Sequence, residues 1–274
     1  MRMRELKRIY ENTYVISEVG CAGLVQMYLA VGKEKAQLID CGYGGIDLVS
    51  IIRRVTALPV TVICTHGHID HAFGGYQFDE VYMHPDDMGV YAEHGTKELQ
   101  EKSWAGMDMR MLKLYGISVE QLFRQKEKAL SAPKGRVRNL SDRQIFDIGG
   151  RTFRVISMPG HTKGSVLVYD EQEKVLFSGD NLNGQVWMSL PESVSMREYR
   201  KQLQHLKDFV MAENITTHYG GHDPRPGNCP KRIRMLLKCA DRAIQKGQTG
   251  KIIDRGVTRG YVANAGLFVS VLYK

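Results

Sequence analysis

The sequence lacks the features of a membrane protein or a secreted protein. No apolar run is long enough to cross a bilayer, and the basic start at residues 1–8 is not followed by the apolar segment of a secretory signal. The five cysteines are scattered, odd in number and without a CxxC pair, which argues against a disulfide framework. We therefore expect a cytoplasmic protein with reduced thiols and no membrane partner.

The chain also has fewer acidic than basic residues, with 30 Asp and Glu against 38 Lys and Arg and a net charge of +8. A basic balance suits an anionic substrate or a nucleic acid. The basic residues are spread along the chain, however, and no aromatic residues interleave with them as in a single-strand binding groove. We therefore favour a solvated basic surface and a small-molecule substrate, with nucleic acid as the less favoured partner.

The 274 residues suit one large α/β domain that spans residues 1–274. Alternating apolar residues and turn signals predict a β-meander at 13–40. Further strands are predicted at 60–64, 80–84, 144–148, 152–157, 165–169, 174–177 and 215–218. Apolar residues at helical spacing predict helices at 46–56, 195–211 and 230–245. The end of the chain is predicted to form an antiparallel pair whose last strand covers 267–272.

Residues 85–130 differ in character from the rest of the chain. No proline occurs between Pro85 and Pro133, and Met, Leu, Glu and Lys dominate the segment. Amphipathic stripes broken by glycines predict three short helices, which we interpret as a helical insertion within the domain. The stripe residues are Val90, Leu99, Trp104, Met107, Met111, Leu114 and Leu122, and the glycine breaks are Gly95, Gly106 and Gly116. The insertion could be a lid over a site, a homodimer surface or an ordinary packed excursion, and the sequence leaves these alternatives open.

Metal-binding chemistry is indicated by the run His66-Gly67-His68-Ile69-Asp70-His71, which follows an apolar, β-branched segment. Imidazole nitrogen suits Zn, Fe and Ni, and carboxylate tolerates all of them. In an extended chain the side chains of His66 and His68 point the same way, so these two residues can bind one ion together. Asp70 and His71 follow after a bend and can face a second ion nearby.

Three later turns repeat this arrangement at the ends of predicted strands. His161 lies in Gly160-His161-Thr162, Asp180 in Ser178-Gly179-Asp180, and His222 in Gly221-His222. A lone His or Asp at a strand end is usually a capping group or a surface group. The recurrence of such residues at four strand ends is a more specific sign of a metal site. His218 is a rival for the last position, although it belongs to the apolar strand and His222 has the glycine-flanked setting.

Together, HxHxDH, GHT, SGD and a late GH resemble the motifs of the metallo-β-lactamase fold hydrolases. The resemblance implies a four-layered αββα sandwich with the site at one edge of two sheets, and it covers the chain apart from the helical insertion and the last residues. It implies that His66, His68 and His161 bind a first metal. Asp70, His71 and His222 would bind a second metal, and Asp180 would bridge the two.

The implied activity is metal-dependent hydrolysis. Two divalent ions, with Zn favoured and Fe or Mn also compatible, lower the pKa of a bridging water so that hydroxide attacks an ester, thioester, lactone or phosphodiester. Asp70 would ligate a metal and orient the nucleophile. Asp40 is the expected hydrogen-bond acceptor for a ligating histidine, because it ends the neighbouring predicted strand. Trp187 and Met188, on a predicted loop after Asp180, and Tyr43 are candidate substrate contacts.

Three other functions are carried as alternatives. A bridging carboxylate at Asp180 makes the chain more similar to glyoxalase II-like thioesterases and lactonases than to zinc β-lactamases. RNase Z-like nucleases share this feature. Persulfide dioxygenases resemble these hydrolases but use one iron and a subset of the same ligands. A non-catalytic binding module would be expected to lack one or more ligands, whereas this sequence has all seven.

Overall fold

The computed structural model describes residues 6–21, 23–107, 110, 112–113, 118–131, 135–248, 251–254, 259–265 and 269–274. Within these residues the strands form three sheets. In the described part of the chain no helix combines the length and the apolar character that a bilayer span requires.

The first sheet contains seven strands among the described residues, and they follow one another in chain order. The strands are β1 Leu6–Tyr10, β2 Thr13–Gly20, β3 Gly23–Val31, β4 Ala36–Ile39, β5 Val60–Ile63, β6 Glu80–Met83 and β7 Arg136–Asn139. The strands from β1 to β4 pair antiparallel, which confirms the predicted meander. The pairs from β4 to β7 are parallel, so β4 and β5 end at the same edge of the sheet.

The second sheet has the order β14-β13-β11-β10-β9-β8 in the described chain. Its strands are β8 Ile145–Asp147, β9 Thr152–Ser157, β10 Val166–Asp170, β11 Val175–Phe177, β13 Thr217–Tyr219 and β14 Gly227–Asn228. Strand β10 is antiparallel to both β9 and β11, and β13 is parallel to β11. Strands β9, β11 and β13 therefore run in the same direction and end at one edge.

A third, smaller sheet was not expected from the sequence. It joins β12 Gln185–Met188, β17 Ser270–Tyr273, β16 Arg259–Asn264 and β15 Ile252–Asp254. The antiparallel pairing of β16 with β17 confirms the predicted terminal pair, although residues 267 and 268 of the predicted last strand lie outside the described residues. The prediction that Trp187 and Met188 lie on a loop is wrong, because β12 pairs in parallel with β17 through these residues.

The helices are α1 Leu48–Arg53, α2 Ile69–Ala72, α3 Met88–His94, α4 Lys97–Ala105, α5 Val119–Ser131, α6 Met196–Ala212 and α7 Cys229–Lys246. Two 3₁₀ turns lie at Phe73–Gln77 and Pro85–Asp87. Helix α6 begins where its sequence predicts, because the Ser195 hydroxyl accepts a hydrogen bond from the backbone N–H of Glu198. Helix α7 is capped in the same way by Asn228.

Alternating side chains place the two main sheets face to face. One core cluster joins Ile39 and Ile63 of the first sheet to Val168 and Phe177 of the second. The neighbouring residue Leu38 points the opposite way along the pleat, into a cluster with helix α1. The outer face of the second sheet is covered by α6, α7 and the third sheet. The result is helix, sheet, sheet, helix, which confirms the expected four-layered sandwich.

Short helices occupy the predicted helical segment, as α3, α4 and α5 show. Trp104, Met107 and Leu122 pack with Val19 and Leu24, at the two sides of the β2–β3 turn. The predicted stripe residues Met111 and Leu114, and the glycine break at Gly116, lie outside the described residues. The status of 85–130 as an insertion, and of 1–274 as one domain, stays a prediction.

In the first sheet, strands β1 and β7 were missed by sequence reasoning. Strand β7 is the last strand of its sheet and mostly exposed, with a burial pattern that has no buried position. An exposed strand does not need apolar residues at alternate positions, so arginines can occupy them. Arg138 forms an ion pair with Glu80 on β6 at 2.8 Å. An edge strand of this composition carries no periodic apolar signal, and a charged edge also discourages pairing with another chain.

The packing between the main sheets leads to a prediction for stability. Phe177 is 1% exposed and contacts the rings of Tyr28 and Tyr219, with ring centroids 4.9 and 5.9 Å away. Phe177→Ala should lower the unfolding free energy by about 3–5 kcal/mol, measured by urea denaturation. Phe123→Ala is the matched control, because that ring is 55% exposed, and should change stability by less than about 1 kcal/mol. Equal losses would contradict the layer assignment.

Candidate metal centre

Strand direction brings the predicted site residues to one edge of the sandwich. Asp40 follows β4 and the His66–His71 run follows β5, which is parallel to β4. Asp180 follows β11 and His222 follows β13, which is parallel to β11. His161 lies in the loop after β9. The carboxyl ends of these strands meet, so side chains far apart in sequence become neighbours.

Glycine allows the loops at this edge to approach each other closely. A Cβ at Gly221 would lie 2.4 Å from Asp180 Oδ1 and 2.6 Å from His71 Cε1, so any side chain there would displace two candidate ligands. Gly179 has a φ of +47°, and a Cβ there would lie 2.5 Å from the Thr65 hydroxyl. The glycines beside Asp180 and His222 are therefore required by geometry.

One cluster of donor atoms consists of His66, His68 and His161, all of them buried. His66 Nε2 lies 3.1 Å from His68 Nδ1, and His161 Nε2 lies 3.0 Å from the same atom. Nitrogens bound tetrahedrally to one zinc ion at about 2.0 Å would be about 3.3 Å apart. The spacing of these three nitrogens therefore fits a single ion.

A second cluster consists of Asp70, His71 and His222. Asp70 Oδ2 lies 3.4 Å from His222 Nε2 and 3.7 Å from His71 Nε2. His71 Nε2 is buried and has no hydrogen-bond partner among the described residues. A buried polar atom of this kind calls for an explanation, and a cation held by the cluster would supply the missing partner.

Asp180 lies between the two clusters. Its Oδ1 is 3.4 Å from His71 Nε2, and its Oδ2 is 3.2 Å from His222 Nε2. The same Oδ2 is 3.6 Å from His161 Nε2 of the first cluster. A carboxylate in this position can reach ions on both sides, so the residues present fit a pair of metals.

Each candidate histidine is held by a hydrogen bond at its outer nitrogen. The acceptors are Thr65 Oγ1 for His66 (3.1 Å), Glu192 Oε1 for His68 (2.6 Å), Asp40 Oδ2 for His71 (2.8 Å), the Trp187 carbonyl for His161 (2.7 Å) and the Leu24 carbonyl for His222 (2.7 Å). A neutral imidazole that donates outward leaves the lone pair of its inner nitrogen for a metal. The tautomers that a metal site requires are therefore built into the fold.

The Asp40 carboxylate accepts three hydrogen bonds at this edge. Besides accepting from His71, its carboxylate accepts hydrogen bonds from the Thr65 backbone N–H (2.6 Å) and hydroxyl (2.9 Å). Since the Thr65 hydroxyl donates to Asp40, its lone pair is left to accept from His66. One carboxylate thus orients a histidine in each cluster.

Charges divide the centre into two halves. Burial and then the neighbouring histidines lower the pKa of His66 well below its usual value, and burial lowers that of His161 to about 4. In the second cluster burial alone would lower the pKa of His222, but the charges of Asp180 and Asp70 outweigh it and raise that pKa to about 10. Burial alone would raise the carboxyl pKa of Asp180, but His222 and His71 outweigh it and hold that pKa well below its usual range. The carboxylates are thus ionised, as metal ligation requires.

Two further residues at this edge were missed by sequence reasoning. Glu192 accepts from His68, and the His94 ring stacks on the His68 ring with centroids 4.8 Å apart and planes 10° apart. The Ile69 backbone N–H donates to His94 Nδ1 at 3.2 Å, which leaves the proton of a neutral His94 on Nε2. Glu192 and His94 come from a loop and from helix α3, so no motif at a strand end could have pointed to them.

The three candidate substrate residues are less accessible than expected. Tyr43 is 3% exposed, and its backbone N–H donates to the buried Glu18 carboxylate at 2.8 Å. Met188 is 3% exposed and belongs to the hydrophobic core cluster beneath the second sheet. Trp187 is half-buried and supports His161 through its carbonyl group. A role for these side chains in substrate binding stays a prediction.

Comparison with known proteins agrees with this geometry. The family model of the metallo-beta-lactamase superfamily matches residues 22–218, and the chain therefore belongs to that superfamily. A solved metallo-beta-lactamase family protein from Thermus thermophilus is similar over 87% of this chain and 82% of that protein, at 21% identity and a TM-score of 0.61. A metallo-beta-lactamase from Pontibacter korlensis, 18% identical, covers 86% of this chain and 98% of its own, with a TM-score of 0.55. These likenesses show the fold.

Curated relatives include proteins named acyl-coenzyme A thioesterase MBLAC2. The human protein is 28% identical over 172 residues, which are 56% of this chain and 57% of that protein. The chicken protein is 26% identical over 212 residues, which are 72% of this chain and 71% of that protein. This chain thus spans 57% of the length of the human relative, and the bovine relative has the same coverage.

The structure separates His222 from its rival His218. His222 Nε2 faces Asp70 and Asp180, whereas His218 is buried with Nδ1 3.3 Å from the Ser178 hydroxyl and belongs to none of the donor clusters among the described residues. His222→Ala should lower the zinc content by about one ion per chain, measured by mass spectrometry of dialysed protein. His218→Ala should keep the wild-type content; loss in the second variant alone would reverse the assignment.

Burial of His218 predicts a pH dependence of stability. Burial and then Arg232 lower its pKa from 6.5 to about 3, so between these values the unfolded chain binds a proton that the folded chain does not. Stability should therefore fall as the pH drops below 6.5, by up to about 1.4 kcal/mol per pH unit from this group. His218→Gln should flatten that slope in urea titrations at pH 7 and 5. The exposed His205→Gln should leave it unchanged.

Proposed function

We propose that this chain is a dinuclear metal-dependent hydrolase that acts on a small-molecule ester-type substrate, with a thioester as the first candidate. The observation that carries the proposal is the convergence of seven donor side chains at one sheet edge, with an oriented tautomer at every histidine. Membership of the superfamily supports the class of reaction.

The first ion would be held by His66, His68 and His161, and the second by Asp70, His71 and His222. Asp180 would contact both ions. Three imidazoles and an oxygen ligand favour zinc, with iron or manganese also compatible with the donor set. When bound, two such ions supply a hydroxide nucleophile near neutral pH and polarise the carbonyl oxygen of the substrate.

The residues of the chain orient the reacting groups. Asp70 Oδ2 lies close to both His71 Nε2 and His222 Nε2. Burial alone would raise the carboxyl pKa of Asp70, but the two histidines outweigh it and hold that pKa below the usual value. Its carboxylate would ligate the second ion and orient the attacking nucleophile. His94, with its Nε2 proton fixed by the contact to Ile69, is placed beside the first cluster as a neutral hydrogen-bond donor.

The thioester preference rests on the relatives rather than on a substrate contact. Proteins named acyl-coenzyme A thioesterase match this chain at 26–28% identity. A thioester carbonyl is more electrophilic than an amide carbonyl, so it suits a site whose contribution is a positioned nucleophile and electrostatic stabilisation. Lactones and oxygen esters share that reaction and form the comparison set.

Zinc analysis and a substrate panel test this function. The wild-type chain should bind close to two ions and hydrolyse acyl-thioesters faster than lactones, phosphodiesters or RNA. Asp180→Asn should reduce kcat at least about 100-fold while circular dichroism stays unchanged, because it weakens a shared ligand and loss of a group that only supports a ligand already costs about 10- to 100-fold. Asp208→Asn, on the exposed face of α6, is the matched control and should retain activity.

Other outcomes of the same panel would reject particular parts of the proposal. One iron per chain with oxygen uptake would replace the hydrolase by a dioxygenase-like oxidoreductase. Cleavage of RNA in preference to every ester would keep the metal centre but change the substrate to nucleic acid. Two bound ions without turnover of any substrate would favour a binding module.

A further inference from the structure

Asp87 is a fully buried carboxylate outside the set of candidate ligands. It ends the short turn Pro85–Asp87 that leads into helix α3, and its exposed fraction is 0%. A charged side chain at such a position costs free energy unless several hydrogen bonds satisfy its oxygens. The identity of its donors therefore indicates what the residue does.

Three donors converge on this carboxylate, and all three are neutral groups. Oδ2 accepts from the Gly67 backbone N–H at 2.8 Å and from the Thr162 hydroxyl at 2.7 Å. Oδ1 accepts from the Gly164 backbone N–H at 2.8 Å. Hydrogen bonds to an ionised acceptor are stronger than those between neutral groups, so each of these contacts restrains its loop firmly.

The donors belong to the two loops that supply the first cluster. Gly67 lies between His66 and His68, so any shift of its N–H moves both residues. In the other loop Thr162 follows His161 directly, and Gly164 lies two residues further on. Asp87 is thus hydrogen-bonded to both sides of the three-histidine cluster without contributing a ligand to it.

Close packing confines Asp87 to this arrangement. A Cβ at Gly67 would lie 2.7 Å from the Asp87 carbonyl oxygen, and a Cβ at Gly164 would lie 2.6 Å from Asp87 Oδ1. Both glycines therefore let the loops approach the carboxylate. Thr162 is held in turn by Ser165, whose hydroxyl accepts from the Thr162 N–H at 3.0 Å.

We propose that Asp87 is a positioning residue that sets the spacing of the first metal site by fastening the His66–His68 loop to the His161 loop. The turn and helix after β6 are then part of the metal-binding machinery and more than a cover over it. The inference rests on the metal centre of the proposed function, but not on the identity of the substrate.

Metal binding by an isosteric variant tests the inference. Asp87→Asn replaces one acceptor oxygen by an N–H₂ group, which cannot accept the hydrogen bonds that Asp87 receives from the two loops. Metal affinity at the first site should therefore fall by about 10- to 100-fold, the range for loss of a supporting contact to a metal ligand. Co²⁺ titration should show this as loss of the absorption bands of one of two ions, with the second ion retained. Asp86→Asn is the matched control, since that neighbouring side chain is 64% exposed and should titrate as the wild type does.

A pair of substitutions at Thr162 covers the case in which Asp87→Asn does not fold. Thr162→Val removes one donor to Asp87 and should weaken metal binding at the first site. Thr162→Ser keeps the hydroxyl and should retain the wild-type affinity there. A lower melting temperature of the metal-free protein with unchanged Co²⁺ affinity in Asp87→Asn and Thr162→Val would overturn the proposal, because Asp87 would then only stabilise the fold.

The same titration separates this inference from the proposed function. A wild-type chain that binds two Co²⁺ ions but hydrolyses no ester would reject the function, and a weakened first site in Asp87→Asn would still support the positioning role. A wild-type chain that binds no ion at the three histidines would overturn the positioning role together with the metal centre.

Discussion

The hydrogen bond at the outer nitrogen of each histidine is the interaction on which the centre depends. Five imidazoles packed at one sheet edge would repel one another if protonated, and each needs a lone pair directed inward to hold a cation. A carbonyl, hydroxyl or carboxylate meets that need in every case, as Asp40 does for His71 and the Leu24 carbonyl does for His222. These acceptors come from a strand start, from the third sheet and from loops, as Leu24, Trp187 and Glu192 show.

The helical segment after β6 is built into the same network. Asp87 fastens two ligand loops, and His94 from helix α3 stacks on His68. Farther along, Trp104 and Leu122 pack beside Leu24, whose carbonyl holds His222. The segment therefore contacts supports of both clusters, which connects its packing to the geometry of the candidate metal centre rather than to solvent alone.

Much of the fold could be predicted because its signals are local. Apolar strands ending in glycine-rich turns are short-range patterns, so the meander, most strands of the second sheet and helices α6 and α7 were found to within a few residues. The exposed edge strand β7 was missed, since its arginines show no apolar alternation. The third sheet was also missed, because the parallel pairing of Trp187 with Leu272 joins distant segments and leaves no mark in either one.

The sequence by itself determined that donor residues recur at strand ends, at His66–His71, His161, Asp180 and His222. Only the tertiary structure decided how they are oriented. The partner of His222 is 198 residues away in the chain and that of His68 is 124 residues away. Hydrogen bonds over such separations have no period and no fixed spacing, so Asp87, Glu192 and His94 became visible only once the loops were placed in space.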